Sequence, residues 1–542
     1  MPAGARNTPT RRSRATVNRF GASCREHCRA PPMPTGRCEQ RRADSIMSTC
    51  VIGIDVGLTS AKAAAFDEAG NEIRTVSAPN PRVAVSRERQ EVDMDALWDV
   101  VADVLRDLTG ELAREGWTIA AVAATGHGNG LYLVDEDLRP VRAAIASTDH
   151  RAEAIVASLD AAQVESVRRV TGSIPWAAQP GVLLRWLLEH EPDVLQRASW
   201  ALTCKDWITA CLAGVAQADL SDSSGCGLVN LATRDYEPAV LDLLGLPADT
   251  SRLFPPLRSS DEKVGGVTAD AAARTGLPVG TPVVAGCMDC VASPLGAGAT
   301  ALGDVTVIVG TWAINGVVVP ADTDPPRVTI NALLPDPSAM LAMEVAPTSA
   351  ASIEWAAGLL GARATIPVTP RDLLTAGQSA PPLADGLLFL PFIHGAPEHL
   401  GASGTFLGVK GNHGYPHVAR AVAEGITQYH RVQLGKVRSS GAEVSAGPWT
   451  LAGGGAKNPL WAQMFADIVG HPMRRQLGTE LGARGVAWLA ARGVGMDTAS
   501  WHADPDPRLV VEPGECAADY ARQAVTFDRA LDAMKAVWEA TA

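Results

Sequence analysis

The sequence predicts two α/β domains of similar build, on three observations. Residues 51–56 form an apolar run, followed by a polar Gly-containing turn and a second apolar run over 61–66, the pattern of a β-hairpin. The pattern returns about 250 residues later, with a strand over 304–309, a turn at Gly310-Thr311-Trp312 and a strand over 314–319. Each hairpin opens a region of mixed strand and helix signals, and 542 residues suffice for two separate cores.

The first 46 residues carry ten Arg against Glu26, Glu39 and Asp44, with no apolar stretch of the kind a secretory signal needs. They are expected to be a disordered basic tail, and Met47 is a candidate natural start. Cys24, His27, Cys28 and Cys38 fall in no standard zinc spacing. The first domain is expected over 47–300. Its hairpin continues past the turn Asp67-Glu68-Ala69-Gly70 into a third extended stretch. Residues 93–115 place Met94, Leu97, Trp98, Val101, Val104, Leu105, Leu108 and Leu112 at helical spacing, with Asp93 set to cap them. A strand over 119–124 ends in T-G-H-G-N-G at 125–130. The second domain is expected over 301–542, the boundary falling near 299–303.

Composition narrows the class. Apolar residues make up 46% and charged residues 20%, as in soluble globular proteins. A formal charge of −12 argues against nucleic acid as the main partner, because phosphate backbones need a basic face. The nearest approach to a membrane span, 305–320, contains Thr306, Thr311 and Asn315 and is too short. Ten Cys without a repeating spacing read as reduced thiols.

Four constellations carry chemistry. In Asp55-x-Gly57-x-Thr59-Ser60-x-Lys62, a tight Gly turn offers N–H groups to an anion. Its two hydroxyls and one ammonium add donors, and its carboxylate suits a hydrated Mg²⁺. Gly310-Thr311 occupies the equivalent turn of the second half, so two facing turns can clamp one set of phosphates. For both, a plain polar hairpin is the competing reading. Gly453-Gly454-Gly455-Ala456-Lys457-Asn458-Pro459 joins an apolar strand to a helix and lets a flat or anionic ligand approach the backbone. It is neither a P-loop nor a dinucleotide fingerprint, and a tight turn competes with it. Gly286-Cys287-Met288-Asp289 puts a carboxylate at a strand end, placed to accept a proton from a hydroxyl, or simply to cap a helix.

Taken in order, these motifs resemble the FGGY carbohydrate kinases of the actin-like, ribonuclease-H-like ATPase superfamily, over residues 50 to 492. The resemblance rests on D-V-G-L-T-S-A-K at 55–62, T-G-H-G-N-G at 125–130 and S-T-D-H-R-A at 147–152. It continues through D-L-S-D-S-S-G at 219–225, G-C-M-D at 286–289 and G-T-W at 310–312. F-L-P-F-I-H-G at 389–395 with H-V-A-R-A-V-A-E-G-I at 417–426, and G-G-G-A-K-N-P-L-W-A-Q at 453–463, complete it.

The resemblance implies two ribonuclease-H-like domains around a central cleft. It implies ATP and Mg²⁺ as cofactors and Asp289 as general base, also touching substrate. Asp55 would position the metal. Gly57, Thr59, Ser60, Lys62, Gly310 and Thr311 would hold phosphates, and Gly454, Gly455 and Asn458 would border the adenosine. His127, Asn129 and Asp149 would meet the sugar. Asn129 stands where xylulose kinases usually have His and glycerol kinases Glu, and a Trp common just before Asp149 is absent. G-T-W-A-I-N at 310–315 and E-V-A-P-T-S-A at 344–350 resemble the L-xylulose/3-keto-L-gulonate kinase branch. The expected activity is therefore ATP-dependent phosphorylation of a small linear ketose, L-xylulose or a related pentulose or keto-acid. Erythritol-type polyol and D-xylulose kinases are the near alternatives, and a non-metabolic actin-like ATPase or a sugar sensor the distant ones. The expected setting is cytoplasmic. Its expected partners are a sugar or polyol and a second copy in a homodimer, with neither nucleic acid nor membrane.

Overall fold

The computed structural model describes residues 48–81, 86, 89–362, 368–396, 401–439, 443–478, 480–502 and 506–541. The basic segment 1–46, Met47 and the cysteines at 24, 28 and 38 lie outside the described residues.

The first domain is built on β1 (Thr49–Val56), β2 (Ser60–Asp67), β3 (Glu72–Pro79), α1 (Met94–Glu115) and β4 (Thr118–Gly126). Its sheet is completed by β5 (Lys263–Gly266) and β6 (Pro282–Val284), in the order β5-β6-β4-β1-β2-β3. β1 is buried along nearly its whole length because both faces of the sheet are covered. α1 begins where Asp93 accepts a hydrogen bond from the Ala96 N–H, and ends at left-handed Gly116. Its apolar stripe is the one its spacing predicts. The long excursion between β4 and β5 is rich in short helices and includes α2 (Cys204–Ala213) and α3 (Leu220–Gly225). α4 (Asp289–Gly296) follows β6.

The second domain repeats the plan with β7 (Val305–Val309), β8 (Ala313–Pro320), β9 (Ile330–Leu333), β10 (Ala339–Ala346), α5 (Ala350–Gly361), α6 (Tyr415–Ser439), β11 (Trp449–Gly453), α7 (Pro459–Val469) and β12 (Met473–Arg475). α8 (Leu481–Gly493) and β13 (Val510–Val511) follow. The strand order is β9-β10-β8-β7-β11-β12-β13. The runs β3-β2-β1-β4-β6 and β10-β8-β7-β11-β12 share one connectivity. Three antiparallel strands come first, then two strands parallel to the first of the hairpin. This is the expected pair of ribonuclease-H-like domains.

α8 crosses back to the first domain. Ala483, Val486, Ala487, Leu489 and Ala490 share one core with Val51, Ala121, Ala123 and Val284 of the first sheet. The approach is backbone to backbone. A Cβ on Gly53 would lie 1.9 Å from the Ala483 carbonyl oxygen, and one on Gly485 would lie 2.0 Å from that of Ala292 in α4. Only glycine fits at either position.

Candidate active site

The shared connectivity brings the expected site residues to matching strand ends. In the first hairpin Asp55 pairs directly with Lys62. The Gly57 N–H closes the turn on the Ser60 carbonyl at 3.1 Å, leaving Leu58 and Thr59 exposed. Asn80 braces the turn from behind. Its side-chain amide donates to the Gly57 carbonyl at 2.6 Å, and its N–H donates to that of Thr59 at 3.0 Å. Lys62 Nζ lies 3.0 Å from the Glu480 carboxylate, just ahead of α8. In the second hairpin the Gly310 and Thr311 carbonyls accept the Ala350 and Ala351 N–H groups at 2.8 and 3.4 Å, so the start of α5 holds that turn.

Beside each turn runs a Gly-rich strand end. Val56 pairs with Gly126, and Val309 pairs with Gly453. The turn at 57–59 therefore adjoins the loop after Gly126, and the turn at 310–312 adjoins Gly454 and Gly455. Gly453 has φ +78°, and a Cβ there would lie 2.5 Å from the Val309 carbonyl oxygen. Asn458 accepts the Leu460 and Trp461 N–H groups at 3.0 and 3.3 Å, so its side-chain oxygen serves as the cap of α7.

Asp289 is the first residue of α4. Burial pushes its carboxyl up to about 7, and the charge of Asp55 adds to the rise. The N–H groups of Cys290, at 2.7 Å, and Gly128 oppose it. Asp55 is itself pushed up to about 6 by burial, with Lys62 pulling it down and Glu480 pushing it up. Two carboxylates from opposite sides of β4 thus share one poorly solvated space. A carboxylate with its pKa near neutrality can take a proton at physiological pH.

The flanking loop is rich in polar atoms without partners. His127 Nε2 meets Tyr132 Oη at 2.9 Å, while its Nδ1 has no partner. Burial lowers its pKa to about 4, so the ring is neutral. Asn129 holds a left-handed backbone, φ 62°, and its buried Oδ1 is unpartnered. Gly130 donates to the Ala178 carbonyl at 2.8 Å, which brings Trp176 alongside. Trp176 Nε1 is buried and unpartnered, and its ring meets Trp312 of the second turn edge-on at 6.5 Å.

Asp149 is arranged differently. It is 2% exposed, and its oxygens accept from the Gln90 N–H and from the Arg151 N–H and guanidinium. Nothing in the sequence distinguishes Asn80, Glu480 or Trp176. A lone Asn, Glu or Trp in a loop has no distinguishing pattern, and each meets the site only through tertiary contacts.

The chain matches the N-terminal domain of the FGGY family of carbohydrate kinases over residues 50–296 and the C-terminal domain over 305–494. It belongs to the FGGY carbohydrate kinases. As a member, the kinase transfers phosphate from ATP to a sugar hydroxyl. It is 30% identical to the L-xylulose/3-keto-L-gulonate kinase of Escherichia coli, covering 82% of this chain and 88% of that one. It is 29% identical to a probable L-xylulose kinase of Pasteurella multocida, covering 90% and 99% respectively. The crystal structure of xylulose kinase from Rhodospirillum rubrum superposes with a TM-score of 0.80 at 27% identity, covering 90% of this kinase and all of that chain. Among the described residues, no helix is long and apolar enough to cross a membrane.

Proposed function

We propose that the kinase phosphorylates a small linear ketose, L-xylulose or a related pentulose or keto-acid, using Mg²⁺-ATP. The observation that carries this reading is the set of buried, unpartnered atoms on the Asp289 side: His127 Nδ1, Asn129 Oδ1 and Trp176 Nε1. Each such atom costs about 1–3 kcal/mol when left unsatisfied, and a short hydroxyl-rich acceptor offsets that cost. The names of the relatives from Escherichia coli and Pasteurella multocida support the ketose over a cyclic sugar.

Asp289 accepts the proton of the attacking hydroxyl, the role its near-neutral pKa suits. Gly57, Thr59, Ser60, Gly310 and Thr311 bind phosphate oxygens from the two turns. Lys62 joins them by exchanging Glu480 for phosphate. Gly454, Gly455 and Asn458 border the adenosine. Asp149 acts indirectly, by fixing Arg151 and the Gln90 backbone beside the sugar loop. Among the described residues no cluster of three or more His, Cys, Asp or Glu forms a metal cage. Asp55 would be the carboxylate that holds a hydrated Mg²⁺, an ion that keeps several waters and needs few protein ligands. The ion supplies neutralisation of phosphate charge, the main need of phosphoryl transfer. Cytoplasmic residence and a homodimer go with this reading.

A coupled ADP-release screen over pentuloses, hexuloses, tetritols and keto-acids tests the proposal. L-Xylulose or a close relative should give the highest kcat/KM, with turnover lost on chelation of Mg²⁺. Best turnover on erythritol would replace the ketose by a polyol. No stimulation by any acceptor would overturn the reading.

A further inference from the structure

The short segment that delivers Asp289 is clasped at each residue. The Gly286 N–H donates to the Ser260 carbonyl at 3.0 Å, and Thr125 Oγ1 donates to the Cys287 carbonyl at 2.7 Å. The Met288 N–H donates to Ser221 Oγ at 3.3 Å, and the Cys290 N–H donates to the Asp289 carboxylate. Gly286 takes φ +73°, and a Cβ there would lie 1.9 Å from the Ala124 carbonyl oxygen, so the segment lies against β4 with no slack.

Two of those clasps lead to one buried carboxylate. Ser221 Oγ and Ser260 Oγ both donate to Asp219 Oδ2, at 2.6 and 2.7 Å. The other oxygen, Asp219 Oδ1, lies 2.7 Å from Lys205 Nζ. Lys205, Asp219 and Ser221 are completely buried. Lys205 also pairs with Asp206, and Thr203 Oγ1 lies within hydrogen-bond reach of both Asp206 and Asp222. Burial alone would pull the Lys205 pKa down. The carboxylates of Asp206, Asp219 and Asp222 outweigh it and keep the ammonium charged.

An ion pair this deep is a poor source of stability, since apolar residues of similar volume often serve as well or better. Its geometric output is specific: Ser221 Oγ holds Met288, and the Ser260 hydroxyl anchors the residue whose carbonyl takes the Gly286 N–H. We infer that the buried Lys205–Asp219 pair, acting through Ser221 and Ser260, is the positioning device for the catalytic carboxylate of Asp289. This inference rests on the proposed role of Asp289 as general base. Ser221 and Ser260 act only through the backbone they hold. Their loss should leave nucleotide binding intact and slow transfer to sugar.

The test uses the full chain with the acceptor selected by the screen, L-xylulose first. Four variants are compared: Ser221→Ala, Ser260→Ala, the double variant and Asp289→Asn. Each single serine variant should lose about 10-fold in kcat and the double about 100-fold, the size expected for slight misplacement of a reacting group. The KM for ATP and the slow hydrolysis of ATP without sugar should stay within about twofold of the parent, since neither depends on how a sugar hydroxyl is aligned with Asp289. General loosening would move all three together and overturn the inference. So would a double variant with kcat within twofold of the parent. If the double variant does not fold, the single variants decide by the same criteria. Near-normal turnover by Asp289→Asn would instead overturn the general-base reading. An inactive Asp289→Asn beside unaffected serine variants overturns the positioning role alone.

Discussion

Lys62 and Glu480 form an ion pair at 3.0 Å, although the first hairpin places Lys62 directly across from Asp55. The ammonium expected to meet phosphate is therefore engaged by the residue ahead of α8. Lys62 is about a third exposed, and pairs of that kind add roughly 0–1 kcal/mol of stability. Glu480→Gln should leave Tm within about 2 °C of the parent. It should also lower the KM for ATP by about 2–5-fold, because Lys62 no longer has to exchange partners. Lys62→Met should raise the same KM about 10-fold. Steady-state rates at varied ATP read both effects, and equal KM values for the two variants would refute the exchange.

The pKa of Asp289 links rate and stability to pH in opposite senses. The carboxyl sits at about 7 in the folded protein, against 3.8 for an ordinary aspartate. As the proposed base it works only when ionised, so kcat/KM should fall about tenfold per pH unit once pH drops below about 7. The folded state binds this proton more tightly than the unfolded state, so ionisation costs stability. The cost grows as pH rises from about 4 to about 7 and is complete above that. Asp289→Asn never ionises. Without nucleotide or Mg²⁺, the variant should melt with the parent at pH 4 and several degrees above it at pH 8. Thermal melts across that range check the sign, and a parent that is the more stable protein at pH 8 would contradict it.

Asn129 combines a left-handed backbone with an unpartnered carboxamide oxygen. Two substitutions separate these properties. Asn129→Gly keeps the backbone and removes the amide, so the KM for sugar should rise about 10-fold with little change in Tm. Asn129→Ala should show the same rise and lose about 1 kcal/mol more stability, since alanine resists positive φ. Equal melting temperatures for the two would argue that the turn relaxes.

Gly485 admits no side chain, because the Ala292 carbonyl occupies the space. Gly485→Ala must push α8 away from α4, the helix that begins with Asp289. Overpacking of this kind typically costs about 1–3 kcal/mol and occasionally more. A drop in Tm accompanied by lost turnover is expected. The equally conservative Gly110→Ala, where nothing lies within 4 Å, should be neutral or stabilising.

Much of this was legible in the sequence because it is local. Alternating and 3.6-residue patterns mark both hairpins and α1, and Gly-bounded strand ends mark where Asp55, Asp289 and Gly453 fall. Partners distant in sequence were not legible. Glu480 meets Lys62 across 418 positions, and nothing in the intervening chain announces it. Lys205 reads as a surface lysine until Asp219 and Asp206 are seen around it. The Ala- and Gly-rich stretch of α8 announces burial but not which sheet buries it. Asp149 lies in a recognisable D-x-R pattern, yet only its hydrogen bonds show that Arg151 and Gln90 occupy its oxygens.

The crossing of α8 bears on how the chain matures during synthesis. When β6 has left the ribosome, the face of the first sheet that bears Val51, Ala121 and Ala123 still lacks the helix that covers it in the finished protein. That helix is made only after roughly two hundred further residues. The first domain cannot reach its final core ahead of the second, so a nascent chain interrupted between them exposes apolar surface to chaperones. A fragment ending at residue 300 should therefore be recovered in soluble form only when a peptide spanning α8 is supplied in trans.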